Sequence, residues 1–249
     1  MTNPAQAVGH VADDDAFLGS CFLVGQHVAL TAKHVVCDSA GSLLQVHAHF
    51  PQQTQPADSD SNLRNIIKTA VHPVADLAVL ILDPLSNELE DEFSFLFDLD
   101  KVDSLKDGES QSVGQTVGTY GFRFEHPMRN SNAQIQTPRF LGGYVQRHLE
   151  PCSEQACKYH PPGMSQIELS FLVPEGMSGG PVFTQRHRRL AALCTGNQTT
   201  ERFVERHTTI SEDDKPKIEE TTRSFVHYGL ALRLDPYVPW VKEQIASAT

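Results

Sequence analysis

Gly176-Met177-Ser178-Gly179-Gly180-Pro181 sets a serine between glycines, just after the apolar run Ile167 to Val173 and just before Val182-Phe183. Glycines on both sides let the backbone turn sharply and bring its N–H groups close to a bound group. An acyl-transfer site needs such an arrangement, a nucleophilic hydroxyl with amide donors beside it. A Ser-Gly-Gly-Pro run is equally the composition of an ordinary turn. Its meaning therefore depends on whether the chain also supplies a base and an acid.

Upstream, Leu30-Thr31-Ala32-Lys33-His34-Val35-Val36 follows the strand-like run Cys21-Phe22-Leu23-Val24. A histidine between a strand end and a short helical turn is held at a fixed place. Its near-neutral pKa suits it to activating a serine. With 12 histidines in the chain, His34 stands out by context and not by residue type. Asp76 heads the apolar run Leu77-Ala78-Val79-Leu80-Ile81-Leu82. A lone acid there either caps a turn or bonds an imidazole, fixing its tautomer and stabilising its cation.

Thr-Ala-Lys-His, Asp-Leu-Ala-Val-Leu and Gly-Met-Ser-Gly-Gly-Pro, in that order, resemble the three catalytic motifs of the trypsin-like (chymotrypsin-fold) serine peptidases. The order His, Asp, Ser differs from that of subtilisins and of α/β-hydrolases. A fourth match is Tyr237-Val238-Pro239-Trp240-Val241-Lys242-Glu243-Gln244-Ile245. It is similar to the family's C-terminal helix, with Val238, Val241 and Ile245 at helical spacing around the only tryptophan. The resemblance covers about Phe17 to Ala248. It implies an all-β fold of two packed six-stranded antiparallel β-barrels followed by a C-terminal α-helix. The expected boundaries are 9–104 for a barrel carrying His34 and Asp76, 112–234 for a barrel carrying Ser178, and 235–248 for the helix. A linker is expected near Leu105-Lys106-Asp107-Gly108-Glu109. Short apolar or alternating runs between turn signals fit this: Leu43 to Phe50, Ile66 to Val71, Val113 to Phe122, Phe140 to Val145, Leu190 to Cys194 and Phe225 to Leu234.

The resemblance implies a serine endopeptidase acting through His34, Asp76 and Ser178, with the N–H groups of Gly176 and Ser178 as oxyanion hole. It places the specificity pocket at Leu172 and Val173 as its floor and Gly229 as its wall. The substrate backbone would pair along Cys194, Thr195 and Gly196. A Leu172 floor carries no carboxylate, which disfavours Lys and Arg before the cleaved bond and favours an apolar or small residue. The triad by itself is also compatible with an esterase, and the fold with a catalytically silent binding module.

Departures from secreted relatives bear on control. Met177 stands where those enzymes carry the aspartate that pairs with a newly freed N-terminal amine, and no Ile-Val-Gly-Gly sequence appears near the start. Activity is therefore expected without N-terminal cleavage, the oxyanion hole being preformed or ordered by a partner or substrate. Cys194 replaces the family serine that supports the catalytic aspartate, which leaves the bonding of Asp76 open.

The five cysteines are Cys21, Cys37, Cys152, Cys157 and Cys194. An odd number leaves at least one unpaired. Val35 occupies the family's disulfide position after the histidine. A Cys21–Cys37 bond and a small Cys152–Cys157 loop stay open, but reduced thiols and a cytoplasmic location are expected. The first residues lack the basic region and apolar core of a signal peptide. No apolar span reaches the length of a membrane helix. A formal net charge of −11 argues against nucleic acid and anionic membranes as partners and leaves a protein or peptide substrate, with a regulatory protein partner conceivable. No CxxC pair, His-rich metal spacing or phosphate-binding glycine loop occurs, so no cofactor or metal is expected. Asn197-Gln198-Thr199 matches a glycosylation acceptor, without meaning in a cytosolic protein. Thr199 to Thr222, with its charged core Ser211 to Glu220, reads as a long loop bordering the pocket, either regulatory or solvated. Cys152 to Pro162 reads as a second insertion.

Overall fold

The computed structural model describes residues 3–13, 16–50, 63–84, 95–104, 113–123, 138–151, 163–210 and 216–248, with 200–210 and 216–225 described by backbone alone. The expected linker at Leu105–Glu109 and the whole 152–162 insertion, with Cys152 and Cys157, lie outside the described residues.

Apolar alternation translates into antiparallel strands. β1 (Val8–Ala12), β2 (Phe17–Gly25), β3 (Val28–Thr31), β4 (His47–His49), β5 (Leu63–Val71) and β6 (Ala78–Leu82) close into a barrel in the order β1-β2-β3-β6-β5-β4. β7 (Thr116–Phe122), β8 (Pro138–Leu149), β9 (Gln166–Leu169), β10 (Pro181–Thr184), β11 (Leu190–Ile210) and β12 (Pro216–Arg233) close a second, in the order β10-β11-β12-β9-β8-β7. Closure leaves neither sheet an unpaired edge within the barrel. β6 is buried at every position, which is why its sequence is an unbroken apolar run. This is the all-β, two-barrel fold expected from the sequence.

Two apolar clusters hold the barrels. One fills the first barrel around Phe22, Leu30, Leu80 and Phe97 and continues across the seam to Phe122, Phe183 and Leu193. The other fills the second barrel with Val117, Ile167, Leu169, Val182 and Met177. Side chains from both barrels thus share one core.

The C-terminal helix α2 (Val238–Ala246) follows a 3-10 turn at Asp235–Tyr237. Pro239 in its first turn suits a helix start, where the missing N–H has no partner to lose. Val241 is buried, and Trp240 and Ile245 pack on the first cluster. Lys68 Nζ reaches Ser247 and Lys242 pairs with Asp100, so the chain end is tied to the first barrel.

The segment read as a long loop at Thr199–Thr222 is strand wherever it is described, with residues 211–215 lying outside the described residues. β11 and β12 run on as a paired ribbon from Ala192↔Arg233 to Ile210↔Pro216, with shifts in register near Cys194, Phe203 and Thr209. The physical reason is present in the sequence: Thr199, Thr200, Phe203, Val204, Thr208 and Thr209 are strand formers spaced among the charges. Cys21, Cys37 and Cys194 are free thiols, so the Cys21–Cys37 bond left open by the sequence is not formed.

Candidate active site

β3 ends at Thr31, and the chain turns at once into the short helical segment α1 (Lys33–Val36). Val35 and Val36 are buried and pin this turn, leaving His34 at the surface with its side chain 48% exposed. Asp76 sits on the turn before β6. That turn is organised by His72, whose Nδ1 accepts from the backbone N–H groups of Val74 (3.2 Å) and Ala75 (2.8 Å). The His72 ring lies edge-on to Tyr237 and Trp240, which connects the terminal helix to the Asp76 turn. Burial, reinforced by Lys33, holds the His72 pKa below its ordinary value, so the ring stays a neutral acceptor.

Asp76 spends both carboxylate oxygens on one residue. Oδ1 accepts from His34 N–H at 3.0 Å and Oδ2 from His34 Nδ1 at 2.7 Å. A carboxylate can only accept, so the ring donates from Nδ1 and its Nε2 is left as the basic nitrogen. The backbone bond fixes where the acid stands, and the ring bond fixes which tautomer faces outward.

The serine segment is two consecutive turns. Met177 N–H donates to Pro174 C=O at 3.1 Å and Gly180 N–H to Met177 C=O at 3.0 Å. Gly176 (φ 91°) and Gly179 (φ 86°) are the third residues of these turns. A positive φ at that place is the mark of a type II turn and calls for glycine. Ser178 is carried between them, and its turn is pressed onto the first barrel. Ser20 N–H donates to Ser178 C=O at 2.8 Å. A Cβ on Gly179 would lie 2.1 Å from Ser20 O and 2.4 Å from Thr31 Oγ1. A Cβ on Gly19 would meet Val35 at 2.6 Å and Ser178 O at 3.0 Å. The serine turn is therefore seated, at Gly179, on Thr31 and Ala32 just ahead of His34.

The residues expected around a pocket converge on one corner of the second barrel. Gly229 pairs with Asn197 in the β11–β12 ladder, and its N–H donates to Phe171 C=O at 2.9 Å. Asn197 also grips the neighbouring segment: its Oδ1 accepts from Val173 N–H at 2.7 Å and its Nδ2 donates to Val173 C=O at 2.6 Å. The amide that reads as a glycosylation acceptor in sequence is thus an internal clamp. Val173 is buried, whereas Leu172 is 49% exposed. Gly196 has a positive φ, and a Cβ placed on it would meet nothing within 4 Å. Beside it, Thr195 Oγ1 donates to Leu230 C=O at 3.3 Å. Cys194 points its Sγ at Thr119 Oγ1 (3.4 Å) inside the barrel, where burial pushes its thiol up to about 12. The roles of Ser20 and Asn197 escaped the reading of the sequence because each acts on residues remote along the chain, at Gly176 and Val173. For His72, the His72-Pro73 pair beside Asp76 gave a local signal.

Among the described residues no group of three His, Cys, Asp or Glu side chains is placed to hold a metal ion, and no helix is long and apolar enough to cross a membrane.

A family model described as the trypsin-like peptidase domain matches residues 19–193. No curated protein matches in sequence. A solved Glu endopeptidase in complex with MPD aligns over 98% of this chain and 92% of its own, at 12% identity and a TM-score of 0.60. Rv3671c from M. tuberculosis H37Rv, in the inactive form of a serine-to-alanine mutant, aligns over 98% of this chain and 88% of its own, at 12% identity and a TM-score of 0.57. At that identity both speak for the fold alone. The barrels carry the fold and the family model spans both motif-bearing halves, so the chain belongs to the trypsin-like peptidase family.

Proposed function

We propose that this chain is a serine endopeptidase working through Ser178, His34 and Asp76. The observation that carries the reading is the pair of hydrogen bonds from His34 to Asp76, at 3.0 Å and 2.7 Å, just after Thr31 and Ala32, onto which the serine turn is seated at Gly179. Ser178 Oγ attacks the scissile carbonyl and loses its proton to His34 Nε2. The imidazolium is stabilised by Asp76 and returns the proton to the leaving amine. The N–H groups of Gly176 and Ser178 receive the oxyanion. Water then releases the acyl group by the same route in reverse.

The substrate is a protein or peptide whose backbone adds along Thr195 and Gly196 as an extra strand. Leu172, Val173 and Gly229 offer apolar lining, which favours an apolar or small side chain before the cleaved bond over Lys or Arg. The free thiols Cys21, Cys37 and Cys194 support a reducing, cytoplasmic setting. One or a few partner proteins are the natural targets of such a domain. Incubating wild-type protein and Ser178→Ala with a peptide library and with casein tests the reading. Cleavage by wild type alone, after apolar or small residues, is expected. Hydrolysis of simple esters without any peptide cleavage would favour the esterase alternative, and inertness of both proteins the binding module.

A further inference from the structure

Met177 leaves the turn around Ser178 without a charged anchor, so something neutral must hold its shape. The structure assigns that task to Ser20, and we propose that the Ser20 hydroxyl is a positioning residue that sets the oxyanion turn in its working conformation. The proposal rests on the reading of Ser178 as nucleophile and goes beyond it in naming what makes the site competent.

Ser20 lies in β2 of the first barrel and is fully buried. Its hydroxyl donates to Gly176 C=O at 2.8 Å, across 156 residues of chain. The same oxygen accepts from Phe122 N–H, in β7 of the second barrel, at 2.8 Å. A hydroxyl has one proton to give, and here it goes to the turn. One oxygen therefore joins β2, β7 and the turn before the serine.

The peptide unit between Gly176 and Met177 is held at both ends. Its carbonyl is fixed by Ser20 Oγ, and its amide, Met177 N–H, by Pro174 C=O at 3.1 Å. A peptide plane bonded on both edges cannot rotate without losing both bonds. That plane fixes the carbonyl side of Gly176, and Gly176 cannot turn to re-aim its N–H, one of the two oxyanion donors, without moving it. Ser20 also fixes the other side of the nucleophile, since its own N–H donates to Ser178 C=O at 2.8 Å. Both residues that present an oxyanion donor are thus bonded to Ser20.

Room for this arrangement comes from Gly121. A Cβ there would lie 3.1 Å from Ser20 Oγ and 3.1 Å from Met177 Cε. Met177 itself is fully buried in the second barrel. The apolar side chain anchors the turn from one side and the hydroxyl from the other. No proteolytic event is needed to form either contact.

Oxyanion donors act on charge that develops only in the transition state, so loss of their alignment lowers kcat and leaves KM nearly unchanged. Removing a donor outright costs about 10²–10³ in kcat. Loosening one through Ser20→Ala is expected to cost about 10- to 100-fold, with a parallel fall in the rate of fluorophosphonate labelling. Ser20→Thr, which keeps the hydroxyl, is expected to restore most of the rate. Val11→Ala, a core truncation in β1, controls for general loss of stability and is expected to lower the melting temperature while keeping kcat. Hydrogen exchange of residues 174–180 reads the turn directly and needs no turnover. Met177 N–H is expected to exchange at least about tenfold faster in Ser20→Ala than in wild type. Unchanged exchange in that segment overturns the proposal, as does a kcat within twofold of wild type in folded Ser20→Ala. A wild type that neither labels nor cleaves overturns the peptidase reading instead, and the exchange measurement still decides whether Ser20 holds the turn.

Discussion

Gly179→Ala is the sharpest probe of how the serine turn is seated on the first barrel, because Gly41, with the same backbone conformation, serves as a control. Gly41, Gly114 and Gly179 have φ of 84°, 85° and 86°. Placing an L-residue in that conformation costs about 1–2 kcal/mol. Alanine regains about 0.4–1 kcal/mol by restricting the unfolded chain. A Cβ on Gly41 meets nothing within 4 Å, so Gly41→Ala is expected to cost about 1 kcal/mol and to lower Tm by about 2–4 °C. The backbone cost is the same at Gly179, but its Cβ would stand 2.1 Å from Ser20 O and 2.4 Å from Thr31 Oγ1. Ordinary contact begins at 3.4 Å, so the turn must retreat by about 1 Å or the barrels must part. Retreat threatens the bonds from Gly179 N–H to Cys194 C=O and from Thr31 Oγ1 to Ser20 C=O, both 2.8 Å. Each buried polar group orphaned in this way costs about 1–3 kcal/mol. The total reaches about 4 kcal/mol or more, enough to lower Tm by about 10 °C or to prevent folding. Thermal melts followed by circular dichroism, with both substitutions placed in a Ser178→Ala background to prevent self-digestion, measure the difference. A Gly179→Ala protein melting within about 3 °C of Gly41→Ala would refute the close approach of turn and barrel.

Asp76→Asn is expected to lower kcat/KM by about 10⁴-fold: one amide oxygen cannot accept both the backbone and ring N–H of His34, and an amide NH₂ facing Nδ1 forces the tautomer whose Nε2 has no lone pair. Steady-state kinetics check this, and a loss under tenfold contradicts it. Acid sensitivity should trace to His10, whose ring is packed against Phe17, His49 and Phe122 and whose pKa is lowered to about 3 by burial, then by His49 and His47. The unfolded chain protonates His10 first, so its stabilisation is complete above about pH 6.5 and is lost as pH falls toward about 3, with a slope of up to about 1.4 kcal/mol per pH unit. His49, lowered in the same direction, adds to the trend. His10→Phe should flatten the Tm-against-pH curve in that window, and an unchanged curve would contradict the assignment. Cys21 and Cys194 are fully buried with raised pKa values, so iodoacetamide at pH 8 should leave both unmodified in the folded protein and alkylate them in urea; rapid labelling of the folded protein would contradict that burial.

The three motifs were readable because their chemistry imposes local sequence: glycines at the positive-φ positions 176 and 179, an apolar strand under Asp76, buried Val35 and Val36 under His34. The terminal helix was readable from the spacing of Val238, Val241 and Ile245. The Ser20 bridge was not, since its bonds to Gly176 and Phe122 join residues more than a hundred positions apart and serine is ordinary in any strand. The ribbon of β11 and β12 was masked by its charges, which fit a solvated loop as well as a strand. At Leu172 the family pattern places a pocket floor, while the side chain is half exposed and Val173 is the buried neighbour. Side-chain direction at one residue depends on how Asn197 holds the Val173 backbone, and that is a tertiary matter.

The central claim is that Ser178 is a nucleophile activated by His34. Intact-mass measurement after treatment with a fluorophosphonate tests it most directly. One adduct, mapped to Ser178, is expected on the protein as expressed and without N-terminal trimming. The adduct should be absent from Ser178→Ala and strongly slowed in His34→Ala. A folded wild-type protein that takes no label, or one that labels equally well after Ser178→Ala, would contradict it.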